Sequence, residues 1–330
     1  MTKISIEDLQ KIESREHESY TQNRATACNN PHKIKGNFIS FFGRQYKPFF
    51  RNDQGFRPLF CGFYIKFDGT ELLVDPGANI LDRSQASGVN LYRLNSVFIS
   101  HSHIDHDNDA NVAMELASCS HQNVKLLASE QTLANGSVKP YHISENPKLV
   151  LKVETLSDQE IKLSEKVSLK PIKVFHSIDG TYGFVMDIDG LRVGYTSDTG
   201  FTKKFKTSIG EYEIGETDYQ GTLVGPTKFD DKLKDIFSNV DVLIFNLHGF
   251  AYNKHSLFHS VAFDLIEILK DSKVKLCVCD HLSPGGAISK NLSAKIIHFI
   301  EQQTDKKIVL VGSNGLTLDL DKLVSMARKR

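Results

Sequence analysis

Residues 94–106 read Leu-Asn-Ser-Val-Phe-Ile-Ser-His-Ser-His-Ile-Asp-His. The first half is a short apolar run of the kind that forms a buried strand. The second half places four potential metal ligands, His101, His103, Asp105 and His106, within six residues. In an extended segment, side chains two apart share a face, so His101 and His103 point the same way and can hold one ion between them. Asp105 and His106, in the turn that follows, are placed to hold a second. A lone histidine at a strand end would read as an ordinary polar loop; four donors at this spacing read as a metal site.

Upstream, the runs NFISFFG (37–43), CGFYIKF (61–67) and TELLVD (70–75) have strand character and are separated by Gly, Pro and Asp. Downstream, Asn108 opens a helical stretch to about Cys119, and VKLLA (124–128) follows. A second strand series comprises VSLKPIKVF (167–175), YGFVMDI (182–188) and LRVGYTS (191–197). The last third alternates: strand VDVLIF (240–245), helix 260–270, strand VKLCVCD (274–280), helix 292–303, strand KIVLV (307–311) and a final strand GLTLDL (315–320). Helix 260–270 carries Val261, Ala262, Leu265, Ile266 and Leu269 as a stripe that should face a sheet. Two β-rich halves, each with helices outside, predict an α/β fold with sheets face to face beneath helical layers.

Residues 1–36 are polar, with Ile4, Ile6, Leu9 and Ile12 predicting one short amphipathic helix that ends near Asn29, Asn30 and Pro31. They read as a peripheral N-terminal extension, with a lid or the arm of a homodimer as the functional alternative. The domain proper is expected over 37–330, with 201–239, rich in Gly, Lys and Asp, as an insertion or long crossing loop.

The 330 residues carry 40 Lys+Arg and 40 Asp+Glu, for a formal net charge of zero. This excludes a general basic coat for nucleic acid, though not a local basic groove. No run approaches the ~20 apolar residues of a membrane span, and the polar N-terminus offers no signal peptide, so the expected location is cytoplasmic. The five cysteines, Cys28, Cys61, Cys119, Cys277 and Cys279, include no C-x-x-C and argue against a disulfide scaffold or a Cys₄ zinc site. Cys277 and Cys279 read as small core residues. Among the 13 histidines, His17, His32, His121, His142 and His298 match no motif and read as ordinary surface or core residues.

The hexapeptide HSHIDH resembles the hallmark of the metallo-β-lactamase fold, and further segments resemble its other motifs in the expected order over about residues 37–320. Asp75 in LLVDPG is similar to the aspartate that supports the metal-binding histidines from behind. His176 in VFHSIDGTYGF, Asp198 in VGYTSDTG and His281 in VCDHLSP resemble the later ligands. The resemblance implies a four-layer αββα sandwich. It also implies one metal on His101, His103 and His176, a second on Asp105, His106 and His281, and Asp198 between them. Two zinc ions suit these ligand types, with manganese substitution left open. His103 in place of a Glu argues against the di-iron branch of the family, and no cysteine replaces Asp198.

A dinuclear centre of this kind hydrolyses phosphodiesters, lactones, thioesters or lactams through a metal-bridging hydroxide, and the fold does not choose among them. His259-Ser260-Val261-Ala262 before the predicted helix resembles the His-Ser-Thr segment of ribonuclease Z and its phosphodiesterase relatives, where the His assists the leaving oxygen. This implies a phosphodiesterase acting on a nucleic-acid end or a cyclic nucleotide, with Asp105 and His259 catalytic. His248 and His255 lie in the same loop, and whether either contributes is left open. The sequence departs from the family at Asn246-Leu247-His248-Gly249, where ribonuclease Z has Glu-Ala-Thr, and it lacks the long Gly/Pro/Lys-rich arm that clamps tRNA. The alternatives are a lactone, thioester or other carboxylic ester hydrolase, or a non-catalytic metal-binding module. An assay of diester, lactone and thioester substrates separates them.

Overall fold

The computed structural model describes residues 6–43, 62–119, 124–143, 152–213, 220–252, 258–281, 290–305, 307–313 and 315–329. The first strands are β1 (Phe38–Phe41), β2 (Phe63–Phe67), β3 (Thr70–Val74), β4 (Ser96–Phe98), β5 (Lys125–Ala128) and β6 (Lys152–Thr155). Next come β7 (Ile161–Lys162), β8 (Val167–Lys173), β9 (Tyr182–Ile188), β10 (Leu191–Tyr195), β11 (Thr202–Thr207), β12 (Glu211–Glu213) and β13 (Leu223–Phe229). The last are β14 (Val242–Gly249), β15 (Ser260–Val261), β16 (Leu276–Asp280), β17 (Ile308–Val311) and β18 (Thr317–Asp319).

Two sheets carry the fold. The first runs β18-β1-β2-β3-β4-β5-β6, and the second runs β17-β16-β14-β10-β9-β8-β7, with β15 added to β14. Their facing surfaces share one apolar layer that includes Ile65, Leu72, Val74 and Phe98 from the first sheet and Phe184, Val193, Ile244 and Val278 from the second. The alternate residues point outward. Leu73, Val97 and Leu126 pack with Ala110, Ala113 and Met114 of the helix Ala110–Cys119. Leu243, Phe245, Cys277 and Cys279 pack with residues of the helices Asp231–Ser238, Ala262–Leu269 and Lys290–Gln303. Helices therefore cover both outer faces, giving the four-layer αββα sandwich that the resemblance implies. Each fully buried Leu, Ile or Phe in these layers contributes roughly 1.5–3 kcal/mol. The two strand cysteines are buried and free, as core residues.

Three local features differ from the sequence reading. The N-terminal helix is long, Ile6–Asn29, although it stops at the expected punctuation. Within 201–239 the chain forms a third sheet, β12-β11-β13, and the helix Asp231–Ser238. Its small core is the buried Phe205 with Tyr212 stacked 5.8 Å away, and its strands carry too little apolar alternation to be announced by pattern. The run 315–320 ends in a helix, Leu320–Arg328, whose N-cap Asp319 side chain accepts from the Lys322 amide.

One property of the topology positions the site. β3, β4 and β5 are parallel neighbours, as are β10, β14, β16 and β17. Asp75, His101, Asp198 and His281 follow directly on β3, β4, β10 and β16, and Asn246 and His248 lie in the last turns of β14. All lie at or just past strand C-termini, where open α/β sheets leave a crevice for ligands. Among the described residues, no helix is long and apolar enough to cross a membrane.

Candidate metal centre

Asp75 is fully buried behind the cluster and collects four hydrogen bonds. Its Oδ1 accepts from the Ser100 amide at 2.7 Å. Its Oδ2 takes the Ser100 hydroxyl at 2.8 Å, the His106 Nδ1 at 2.8 Å and the Tyr195 hydroxyl at 2.5 Å. A carboxylate can leave water at little cost only when its lone pairs are satisfied in this way. The backbone beneath it is specialised. Asp75 has φ +49°, and a Cβ on Gly62 would sit 2.3 Å from the Asp75 carbonyl oxygen. Gly183, in the Tyr-Gly-Phe segment, likewise lets the Tyr195 carbonyl approach to 2.3 Å from where a Cβ would stand. Ser197 and His281 also adopt left-handed φ, +55° and +52°. Non-glycine residues held there cost of order 1 kcal/mol each and cluster at functional sites.

These supports fix which ring nitrogens face the site. Ser100 Oγ gives its proton to Asp75, so it accepts from His101 Nδ1 at 2.9 Å. His106 Nδ1 donates to Asp75, and His176 Nδ1 donates to the Phe258 carbonyl at 2.9 Å. In each neutral ring the remaining nitrogen, Nε2, then carries a lone pair. His103 Nδ1 lies 3.0 Å from His101 Nε2 and 3.1 Å from His176 Nε2. Tetrahedral zinc with bonds of 2.0–2.1 Å would need such edges to be about 3.3 Å. Burial, followed by the field of His106, holds His101 and His103 below the ordinary imidazole range, and burial pushes His176 down to about 4. Neutral imidazole is the form that binds metal.

The second set lies alongside. His281 Nε2 is 3.1 Å from Asp105 Oδ2, and His106 Nε2 is 3.9 Å from the same oxygen. Asp198 Oδ2 sits centrally, 3.3 Å from His281, 3.4 Å from His106 and 4.0 Å from His176, each measured to Nε2. Burial alone would raise both carboxyls. The surrounding imidazoles outweigh it, and both Asp105 and Asp198 are held below the usual carboxylate range. The ligand-capable atoms of His101, His103, His176 and Asp198 lie within 4.8 Å of one another, as do those of Asp105, His106 and His281. The donor set, its tautomers and its spacing fit divalent metal.

His259 joins this cluster, with Nε2 3.6 Å from Asp198 Oδ2 and its side chain 20% exposed. It does not open the helix directly. The two-residue strand β15 intervenes and pairs with β14 at Leu247↔Ser260, and the helix Ala262–Leu269 starts where Asp264 accepts from the Val261 amide at 2.8 Å. That pairing brings His248 against His259, rings stacked at 4.3 Å. His255 lies outside the described residues, as do Cys61 and His121. The supporting roles of Ser100, Tyr195 and Asn246 have no sequence motif. A usable signal exists on β14, whose alternation puts Ile244, Asn246 and His248 on the inner face.

Residues 70–219 match a family model described as a beta-lactamase superfamily domain. That span includes Asp75, the 101–106 turn, His176 and Asp198 and stops before His259 and His281. The chain is similar to ribonuclease Z of Methanopyrus kandleri, 24% identical over 234 residues, which cover 67% of this chain and 80% of the relative. It also superimposes on the metallo-beta-lactamase fold protein YhfI from Bacillus subtilis, with a TM-score of 0.62 and 15% identity over 86% of this chain and 99% of that one. The short form of human tRNase Z gives a TM-score of 0.52 and 15% identity over 85% and 98%.

Proposed function

We propose that this chain, which has the metallo-β-lactamase fold, is a dinuclear metal-dependent hydrolase, and within that class a phosphodiesterase acting on a nucleic-acid end or a cyclic nucleotide. The observation that carries this reading is the convergence of seven donors in two sets around Asp198 Oδ2, with His259 beside them. The similarity to a ribonuclease Z supports the phosphodiester class. In this reading His101, His103 and His176 would hold one zinc ion and Asp105, His106 and His281 the other, with Asp198 as the carboxylate between the two sets. Manganese can replace zinc with these ligand types. Two bound divalent ions would lower the pKa of water towards neutrality and neutralise charge on the ester oxygens.

The chain supplies the rest. Asp75 and Ser100 hold the tautomers of His101 and His106, so that lone pairs face inward. To Asp105, whose side chain is 16% exposed, we assign the orientation of an attacking water. An expelled alkoxide is a poor leaving group unless protonated, and imidazole is the side chain whose ordinary titration range suits donation at neutral pH. His259 Nε2 faces the cluster from the partly exposed side and takes that role. The deciding experiment loads the protein with zinc or manganese and assays bis(p-nitrophenyl) phosphate beside a lactone and a thioester panel. Diester turnover alone is expected. Turnover confined to lactones or thioesters overturns the phosphodiesterase reading, and full metal loading with no turnover on any substrate would indicate a binding module.

A further inference from the structure

Asn246 lies within β14, on the inner face that also carries Ile244 and His248. Asn246 is 3% exposed. Its Nδ2 donates to Asp198 Oδ1 at 2.8 Å and to the Tyr195 hydroxyl at 3.3 Å, which uses both amide hydrogens. The amide could not be turned over without setting its carbonyl against the Asp198 carboxylate. Its backbone N–H donates to Thr196 Oγ1 at 3.0 Å and fixes the strand end beneath it. The Tyr195 hydroxyl donates in turn to Asp75 Oδ2, the oxygen that also holds His106. One buried chain therefore runs Asp198–Asn246–Tyr195–Asp75–His106 and ties the central carboxylate to the support of the second ligand set.

We infer that Asn246 is a positioning residue for the metal centre: by occupying Asp198 Oδ1 it leaves only Oδ2 for the two ions. Without that bond the Asp198 carboxylate is free to rotate about χ2 and offer both oxygens to one ion. The centre then exchanges a shared ligand for a chelating one, and the ion left with fewer anionic contacts binds less tightly. The inference rests on the two-ion reading of the cluster. Loss of a partner that orients a ligand from behind typically costs 10–100-fold in metal affinity.

The test is zinc binding to the full-length metal-depleted protein, measured by chelator competition for wild type, Asn246→Leu and Tyr195→Phe. Asn246→Leu should retain a cooperative thermal melt, bind its first ion normally and bind its second 10–100-fold more weakly. Cobalt substitution should show an altered d–d absorption spectrum. Tyr195→Phe removes two hydrogen bonds of the same chain, those to Asp75 and from Asn246, without touching Asp198, and should lose distinctly less. Equal isotherms and spectra for wild type and Asn246→Leu overturn the inference, and so do equal losses in the two variants. If Asn246→Leu gives no cooperative melt, Asn246→Ser, too short to reach Asp198, is read by the same criteria. A wild-type protein that binds no ions would instead overturn the reading of the cluster itself.

Discussion

His101, His103 and His176 bring three neutral rings to one side of the centre, while Asp105, His106 and His281 bring a carboxylate and two rings to the other. The first set is tied down twice over. His101 leans on Ser100 and His176 on the Phe258 carbonyl. The second set is looser in its ties and richer in charge. His106 is locked to Asp75, but Asp105 is partly exposed and His281 sits on strained backbone. The first set therefore has rigidity without an anion of its own, and Asp198 is the carboxylate grouped with it. The second set has its own anion and less rigidity. In the two-ion reading Asp198 is the residue on which both depend.

The largest expected effect follows from that dependence. In that reading Asp198→Ala should drop metal content from the two ions expected for the wild type to one or none and remove nearly all turnover, as read by elemental analysis and a diester assay. His281→Ala, which removes a donor of the charged set alone, should leave the three-histidine ion in place. An Asp whose only job was capping a turn would cost about 1 kcal/mol of stability and no metal. Near-normal activity and metal content in Asp198→Ala breaks the ligand assignment.

The next effect concerns His259, which touches Asp198 without belonging to either set. If it protonates the leaving oxygen, His259→Ala should slow a substrate with an alkoxide leaving group by 10²–10⁴-fold. Release of p-nitrophenolate, which needs little protonation, should slow far less, and metal content should not change. Equal losses on both substrates, or a lost ion, would make His259 a positioning residue or an additional ligand.

The neutral set should also govern how the metal-free protein responds to acid. His176 titrates near 4 when folded and near ~6.5 when unfolded, because burial disfavours its charged form. Between those values the unfolded chain binds the extra proton, so stability falls as pH drops from about 6.5 towards 4. For this group alone the loss is about 3 kcal/mol. His101 and His103 are shifted the same way and add to it. The depressed carboxyls of Asp105 and Asp198 withdraw their contribution only below the ordinary carboxylate range. Thermal melts in chelator at pH 7, 6 and 5 check the direction, and a flat profile over that range would contradict the burial of His101 and His176.

What could be read from the sequence divides along the same line. Ligands in fixed local spacing, such as His101 through His106, are legible because a strand followed by a turn dictates where they point. Asp198 and His281 are legible because an apolar strand runs straight into each. Asn246 and Tyr195 are not, because a polar residue at a strand end reads equally as a turn residue, and their partners lie 48 and 120 residues away. The third sheet escaped for a different reason: its apolar residues, Phe205, Tyr212, Leu223, Val224 and Phe229, are scattered among Lys, Thr, Glu, Gly and Pro with too little alternation for periodicity to register.

The smallest effect tests a contact that only the fold reveals. Pairing of β15 with β14 sets His248 against His259, with ring centroids at 4.3 Å and an interplanar angle of 30°. A stacked ring pair of this kind contributes roughly 0.5–1.5 kcal/mol, so His248→Ala should reduce turnover of an alkoxide-leaving diester by about 2–12-fold, with metal content intact. His248→Phe preserves a flat partner and should recover most of the loss, because the ring face and not a proton is what His259 needs from it. A deficit as large in His248→Phe as in His248→Ala would mean that a His248 nitrogen acts on the substrate or the metals, placing it within the catalytic cluster. An unchanged rate in both would mean that the strand pairing alone holds His259.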